Sequence, residues 1–154
     1  MTLYALLVGI NEYRPPVPPL RGCVADVEAF ATLLRARRAG DLEVRSLLDA
    51  DATRAGFVDA VRTHLGRAGE HDVALLYFAG HGSEEPVPAE LSHLESGDRL
   101  QTLVLVDTGQ LVDGHVVRPL HRARSVRGRH APLPLVPAGP SVPRVLVRTR
   151  LPSV

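Results

Sequence analysis

Residues 74–86 read ALLYFAGHGSEEP, and this stretch decides the fold class that the sequence predicts. Residues 74–79 are all apolar, which is typical of a strand buried on both faces of a parallel sheet. The run ends in Gly80, His81 and Gly82, and glycines on either side let backbone and ligand approach the histidine closely. The stretch therefore predicts a histidine presented at the end of a buried strand.

Other strands and helices follow from hydrophobic periodicity on both sides of this stretch. The predicted strands are residues 3–10, 42–48, 72–80 and 101–108, and the predicted helices are residues 24–38 and 51–65. The first helix places Val24, Val27, Phe30, Leu33 and Leu34 on one stripe. The second begins with Asp51 or Thr53 as its N-cap, and a polar loop is predicted over 83–99. Strands that alternate with helices predict an α/β fold with a mostly parallel sheet.

Polar residues follow three of these strands. Asn11 and Glu12 come after the first strand, His81 after the third and Asp107 after the fourth. Sites in parallel sheets form beyond the carboxyl ends of the strands. We therefore expect these residues to lie at one edge of the sheet and to form a site.

His81 is the candidate for general acid–base chemistry, because imidazole titrates near neutral pH. The backbone N–H of Gly82 is a candidate to stabilise a developing oxyanion. A turn histidine bonded to a neighbouring carbonyl is the competing interpretation. The other common sites lack their patterns: the seven histidines show no metal-ligand spacing, a G-x-S-x-G elbow is absent, and prolines and acids follow Gly82 where a phosphate loop needs a helix.

Charge and composition change sharply near residue 110. Residues 1–109 hold 10 Arg and 16 acids, a net of −6, whereas residues 110–154 hold 8 Arg and Asp113 as the one acid, a net of +7. The second part also carries seven of the 13 prolines and no aromatic residue. We predict one domain over 1–109 and a Pro/Arg-rich tail over 110–154 that is either disordered or translated out of frame. A basic arm for nucleic acid is the least favoured alternative, because no aromatic residues accompany the arginines.

Three features of the sequence indicate the cellular compartment in which the protein is expected. No apolar run approaches the roughly 18 residues of a membrane span, and the N-terminus is predicted to be a strand rather than a signal peptide. The one cysteine, Cys23, excludes an intramolecular disulfide and fits a reducing compartment. We expect a cytoplasmic protein without a membrane partner.

Four segments together resemble a known family. They are YALLVGINEY (4–13), LRGCVADVEAF (20–30), DATRAGFVDAV (51–61) and DVALLYFAGHGS (72–83). In order and spacing they resemble the caspase-like cysteine peptidases, and most of all the bacterial metacaspase-type branch. The strand-end G-H-G and the L-x-G-C-x-x-D segment are the most specific parts. The resemblance extends over about residues 3–109.

The resemblance implies a three-layer α/β sandwich and the hydrolysis of peptide bonds by a Cys–His dyad. It makes His81 the histidine of the dyad and places the Gly82 amide in the oxyanion hole. It gives Asn11, Glu12 and Asp107 a role in binding a peptide or protein substrate with a basic residue before the scissile bond. It raises the question of calcium activation, but the sequence offers no ligand pattern for it, so no cofactor is expected.

The sequence departs from the family pattern at the nucleophile, because the expected cysteine is missing. The family places its cysteine about 50 residues past the histidine, and the corresponding window, 125–140, contains no cysteine. Cys23 lies instead on the loop that leads into the first helix, where a packing residue is favoured over a substitute nucleophile. We therefore expect a caspase-like fold that is incomplete at its C-terminal side, truncated or frame-shifted, and inactive as a peptidase. A non-catalytic pseudo-peptidase that binds partners is the alternative.

Overall fold

The computed structural model describes residues 1–38, 40–86, 99–107 and 144–150. The strands are β1 (Leu3–Gly9), β2 (Leu42–Leu48), β3 (Val73–Ala79), β4 (Gly82–Pro86), β5 (Arg99–Leu103) and β6 (Arg144–Arg150). The helices are α1 (Cys23–Arg37) and α2 (Arg54–Thr63), and two short 3₁₀ turns cover Asp49–Asp51 and Leu65–Arg67.

The main sheet has the order β2-β1-β3-β6, and every pair in it is parallel. β1 lies between two neighbours, with Leu3 opposite Leu42 on one side and Val73 on the other. The apolar run of β1 is continuous because each face of this central strand is also covered by a buried cluster of core residues. The predicted α/β class with a mostly parallel sheet is confirmed.

One helix packs on each face of the sheet, which gives three layers. On one face Val27 and Ala31 of α1 pack against the odd-numbered residues of β1, and on the other Phe57 and Ala60 of α2 pack against the even-numbered ones. The predicted stripe of α1 is wrong in one position, since Leu33 is 47% exposed. Leu33 lies about 200° around the helix from Ala31, and that turn takes it away from the sheet.

The predicted fourth parallel strand is wrong in both extent and direction. β5 ends at Leu103 and pairs antiparallel with β4, which forms the beginning of the segment predicted to be a polar loop. Hydrophobic periodicity reports burial but not the partner of a strand, so it could not distinguish this hairpin from a parallel strand. Val104, Leu105 and Val106 are buried beyond the end of β5. Residues 87–98 lie outside the described part of the chain.

β6 was not predicted. Arg144–Arg150 pairs parallel with β3, from Val73 opposite Arg144 to Ala79 opposite Arg150. For these seven residues the structure differs from the expectation of a tail without regular structure. The pairing occupies the backbone groups that β3 presents on the side away from β1. Residues 108–143 and 151–154 lie outside the described part, and there the predicted disordered or out-of-frame tail remains a prediction.

Asp72 ties the first residues of the chain to the turn before β3. Its carboxylate accepts hydrogen bonds from the backbone N–H of Thr2 at 2.7 Å and of Gly69 at 3.1 Å. These bonds hold the pKa of Asp72 below its usual 3.8. A carboxyl whose pKa is lower in the folded state stabilises the fold above its unfolded pKa, and this contribution disappears as the pH falls through the folded pKa.

Asp72→Asn is therefore expected to lower the urea midpoint at neutral pH and to have a smaller effect at an acidic pH below the folded-state pKa of the carboxyl, where the wild-type side chain is also protonated. Urea unfolding followed by circular dichroism at both pH values measures this. Asp41→Asn is the matched control, because Asp41 bonds Leu3 through its backbone carbonyl rather than its side chain. A difference between wild type and Asp72→Asn that is equally large at both pH values would contradict the carboxylate's role.

Candidate active site

Three loops meet at the carboxyl edge of the sheet. Gly9, Leu48 and Ala79 end β1, β2 and β3 at the same level of the register. The loops that follow carry Asn11, Asp49 and His81. The sheet therefore brings together the predicted site segments after β1 and β3. The segment that leads to Asp107 runs along the same edge, since the N–H of Val104 bonds to the His81 carbonyl and the N–H of Val106 bonds to the Ala52 carbonyl.

His81 has a defined ring orientation. Its Nε2 lies 2.9 Å from the carbonyl oxygen of Pro18. Since a carbonyl oxygen only accepts, Nε2 must carry the proton of this hydrogen bond. In the neutral ring Nδ1 is then the nitrogen with an available lone pair. This arrangement can accept a proton at Nδ1, which is the requirement for a general base.

The backbone of His81 is also bonded. Its N–H donates to the hydroxyl of Tyr13 at 2.9 Å, and its carbonyl accepts from the N–H of Val104 at 3.0 Å. The rings of Tyr13 and His81 meet edge to face, with their centroids 4.8 Å apart. The competing interpretation from sequence, a histidine bonded to a nearby carbonyl, is thus part of the arrangement and is compatible with a free Nδ1.

Tyr13 is a buried residue that connects these segments. Its hydroxyl donates to the carbonyl of Val104 at 3.1 Å while it accepts from His81. Burial raises the pKa of Tyr13 above its ordinary value of 10, and the hydrogen bond from the His81 amide opposes that shift without cancelling it. The phenol therefore stays protonated throughout the range in which an imidazole titrates.

Gly80 leaves the space that Tyr13 occupies. A Cβ at this position would lie 2.5 Å from the Tyr13 hydroxyl oxygen and 2.9 Å from the ring of Phe78. The sequence predicts that the glycines beside His81 let backbone and ligand approach the histidine closely. The structure instead relates Gly80 to two side chains of the protein's own core.

Asn11 and Glu12 are held by the loop after β2. One carboxylate oxygen of Asp49 accepts from the backbone N–H of Asn11 at 2.6 Å and of Glu12 at 3.0 Å. The side chain of Asn11 in turn accepts from the N–H of Cys23 at 2.9 Å, and its carbonyl accepts from Leu20. Asn11 thus caps α1, whereas Glu12 is exposed at the same edge.

Cys23 is the first residue of α1 and is half-buried. It packs at the margin of the cluster of core residues that contains Val27 and Ala31. Cys23 also contributes to raising the pKa of Tyr13, which places it within electrostatic range of the phenol.

Gly82, the predicted oxyanion residue, is exposed at the start of β4, directly after His81.

Asp107 bonds to α2. Its carboxylate accepts from the N–H of Arg54, the first residue of α2, at 2.8 Å. Thr53 is the N-cap that the sequence predicted as one of two candidates, and its side chain accepts from Gly56 at 3.1 Å. A carboxylate at this end is favoured by the helix dipole. The structure thus uses Asp107 as a second cap of α2.

Three residues of the site escaped the sequence analysis: Tyr13, Pro18 and Asp49. Pro18 acts through its backbone carbonyl, which every residue type possesses. Tyr13 follows the first predicted strand closely, and an aromatic residue in that position is a signal of packing at the end of the strand. Among the described residues, no three His, Cys, Asp or Glu side chains are grouped so that they could hold a metal ion. No helix in this part of the chain has the length and apolarity to cross a membrane.

Comparison with known proteins identifies the family. A family model described as the caspase domain matches residues 2–121, which is most of the chain. The chain belongs to the caspase-domain family. The crystal structure of protein GSU0716 from Geobacter sulfurreducens resembles this caspase domain with a TM-score of 0.59 and 26% sequence identity. The similarity covers 76% of this chain and 44% of that one, so the caspase domain here spans less than half the length of this relative. No curated protein matches the chain.

The family match confirms the caspase-like resemblance that the four sequence segments indicated. It also extends to residue 121, past the predicted domain boundary at 109. The assignment of this caspase domain to the metacaspase-type branch, its bacterial origin and a truncated or frame-shifted C-terminal side are finer statements, and they remain predictions.

Proposed function

We propose that this chain is a cysteine-endopeptidase domain of the metacaspase type that keeps its histidine base, His81, but has no nucleophilic thiol opposite it. The observation that carries the proposal is the hydrogen bond from Nε2 of His81 to the Pro18 carbonyl, 2.9 Å long. It directs the Nδ1 lone pair away from Pro18, and a thiol placed there would lose its proton to the ring. Without such a thiol the domain does not cleave peptides.

A cysteine peptidase needs both partners. A thiol with a pKa near 8.5 is mostly protonated at neutral pH, and an adjacent imidazole makes the thiolate available. The only cysteine of the chain is Cys23. Its backbone N–H is bonded to Asn11 at the start of α1, and its side chain packs against the cluster of core residues that contains Val27. These contacts favour a structural role for Cys23.

The chain is therefore expected to show no turnover of a fluorogenic peptide with arginine before the scissile amide. His81→Ala and Cys23→Ala are the controls, and both should give the same background rate as the wild type. Turnover that disappears in His81→Ala would contradict the proposed inactivity. Turnover that also disappears in Cys23→Ala would make Cys23 the nucleophile.

A non-catalytic binding module is the second candidate, and the position of Glu12 favours it. The backbone of Glu12 is fixed by Asp49, while its side chain is exposed at the edge where His81 lies. A fixed, exposed carboxylate can bind a basic side chain of a peptide. This candidate takes a peptide or protein as its partner and needs no cofactor and no nucleic acid.

Glu12→Gln is expected to weaken the binding of an arginine-containing peptide about 2- to 5-fold, the range of one exposed ion pair. Fluorescence anisotropy of a labelled peptide measures the dissociation constant, at low and at high salt. Glu70→Gln is the matched control, since Glu70 is an exposed acid in the turn before β3. Equal effects of the two substitutions would remove Glu12 from the binding surface.

A further inference from the structure

His81 continues the ladder between β4 and β5. That ladder pairs Gly82 with Leu103 and Pro86 with Arg99. One step further in the same register, His81 is opposite Val104. In a hydrogen-bonded pair of an antiparallel ladder the two residues exchange two N–H···O bonds.

Only one of these two bonds is direct. The N–H of Val104 donates to the carbonyl of His81 at 3.0 Å. The other connection passes through a side chain: the N–H of His81 donates to the Tyr13 hydroxyl at 2.9 Å, and this hydroxyl donates to the Val104 carbonyl at 3.1 Å. A tyrosine oxygen is therefore inserted between the two backbones at the residue that carries the imidazole.

The insertion changes the path of the chain. A direct N–H···O bond holds nitrogen and oxygen about 2.9 Å apart, whereas two bonds in series let them stand up to about twice as far apart. The backbone at His81 is thereby separated from that of Val104 on one side only, although the ladder from Gly82 opposite Leu103 onward has no extra residue. Such a one-sided separation re-aims the side chain of the residue concerned.

The same tyrosine also contacts the imidazole. The two rings meet edge to face with their centroids 4.8 Å apart, while the Pro18 carbonyl fixes Nε2 of His81. Gly80 provides the room for the hydroxyl, because a Cβ there would overlap it. Backbone and ring of His81 are thus both held by Tyr13.

We propose that Tyr13 is a positioning residue for His81: its hydroxyl, inserted into the His81–Val104 pair, aims the imidazole so that Nε2 meets the Pro18 carbonyl and Nδ1 stays available. The proposal rests on the proposed function of His81 as the base. Burial raises the pKa of Tyr13 and keeps the phenol protonated, so the hydroxyl has a proton to donate to the Val104 carbonyl.

The test is the tautomer of His81 in the full chain, measured by long-range ¹H–¹⁵N correlation of the imidazole above its titration range and assigned with His81→Gln. The wild type is expected to be mainly Nε2–H. Tyr13→Phe keeps the ring and removes the hydroxyl, and it should lower the ratio of Nε2–H to Nδ1–H at least twofold and move the His81 amide signal. Tyr4→Phe is the matched control, since the Tyr4 ring also meets a histidine, His64, edge to face at 5.9 Å.

The outcomes separate the two proposals. A wild-type ring that is mainly Nδ1–H would overturn the proposed function, whatever Tyr13→Phe does. A wild-type Nε2–H ring whose tautomer ratio is unchanged in folded Tyr13→Phe would overturn the positioning role alone. Should Tyr13→Phe not fold, the three tyrosines are replaced biosynthetically by 3-fluorotyrosine, whose more acidic hydroxyl donates more strongly. The His81 amide signal must then move, and an unchanged signal overturns the inference.

Discussion

Gly80→Ala is expected to destabilise the fold by about 2–4 kcal/mol, as overpacking of a core combined with the loss of a buried hydrogen bond does. The new methyl group would lie 2.5 Å from the Tyr13 hydroxyl oxygen and 2.9 Å from the Phe78 ring. Both are buried, so neither can move into solvent. The hydroxyl has to leave the bridge between His81 and Val104, and the turn that carries the histidine changes with it.

A double-mutant cycle shows whether the clash with Tyr13 is responsible. Tyr13→Phe removes the oxygen but leaves the contact with Phe78, so the double variant should be at least about 1 kcal/mol more stable than the sum of the two single effects predicts. Urea unfolding measures all four proteins. Gly66→Ala is the control, since its nearest neighbour would be the Val61 carbonyl at an ordinary 3.7 Å. Additive effects of the two substitutions would place the strain elsewhere.

Asp49→Ala is expected to destabilise the chain by about 2–4 kcal/mol, because a hydrogen bond to a charged acceptor contributes about 1.5–3 kcal/mol and the second bond, to the exposed Glu12, contributes less. The substitution takes the acceptor from the N–H groups of Asn11 and Glu12. It also leaves an alanine at a φ of +43°, a conformation that aspartate and asparagine adopt more readily than alanine. The half-buried N–H of Asn11 then has no acceptor of its own.

Asp49→Asn separates these contributions. Asparagine keeps one carbonyl oxygen and tolerates the positive φ, so it should lose about half as much stability as alanine does. Unfolding in urea at neutral pH compares the two variants. Asp51→Ala is the control, because Asp51 is an exposed acid in the same 3₁₀ turn. If Asp51→Ala is as destabilising as Asp49→Ala, the two hydrogen bonds are not the cause.

Local patterns predicted most of the regular structure. β1, β2 and β3 follow from runs or alternation of apolar residues, and α2 begins after Thr53 as its capping chemistry indicates. The pairing of β4 with β5 was missed because it depends on which distant segment meets which, and periodicity within one segment carries no such information. For the same reason β6 could not be placed.

The sequence predicts where the site lies on the sheet, but it does not predict the hydrogen-bond partners of the site residues. His81 stands at the carboxyl edge of the sheet, as the apolar run before it indicated. Its partners are a backbone carbonyl 63 residues earlier and a hydroxyl 68 residues earlier, and no local pattern marks either. The polar side chains of Asn11 and Asp107 have structural roles, because each accepts a hydrogen bond from the first backbone N–H of a helix. Residue type alone could not distinguish a cap from a substrate contact.

The tyrosine bridge also has a consequence for the order in which the protein forms. The bond from Tyr13 to Val104 joins residues 91 positions apart, whereas β1 and β2 pair over a much shorter stretch of chain. Contacts between distant residues form late, because a long loop must close first. A growing chain that has paired its first strands still lacks the segment that completes the bridge. We therefore expect nascent chains to pair their first strands before the orientation of the His81 imidazole is fixed. The imidazole becomes oriented only after synthesis has passed residue 104.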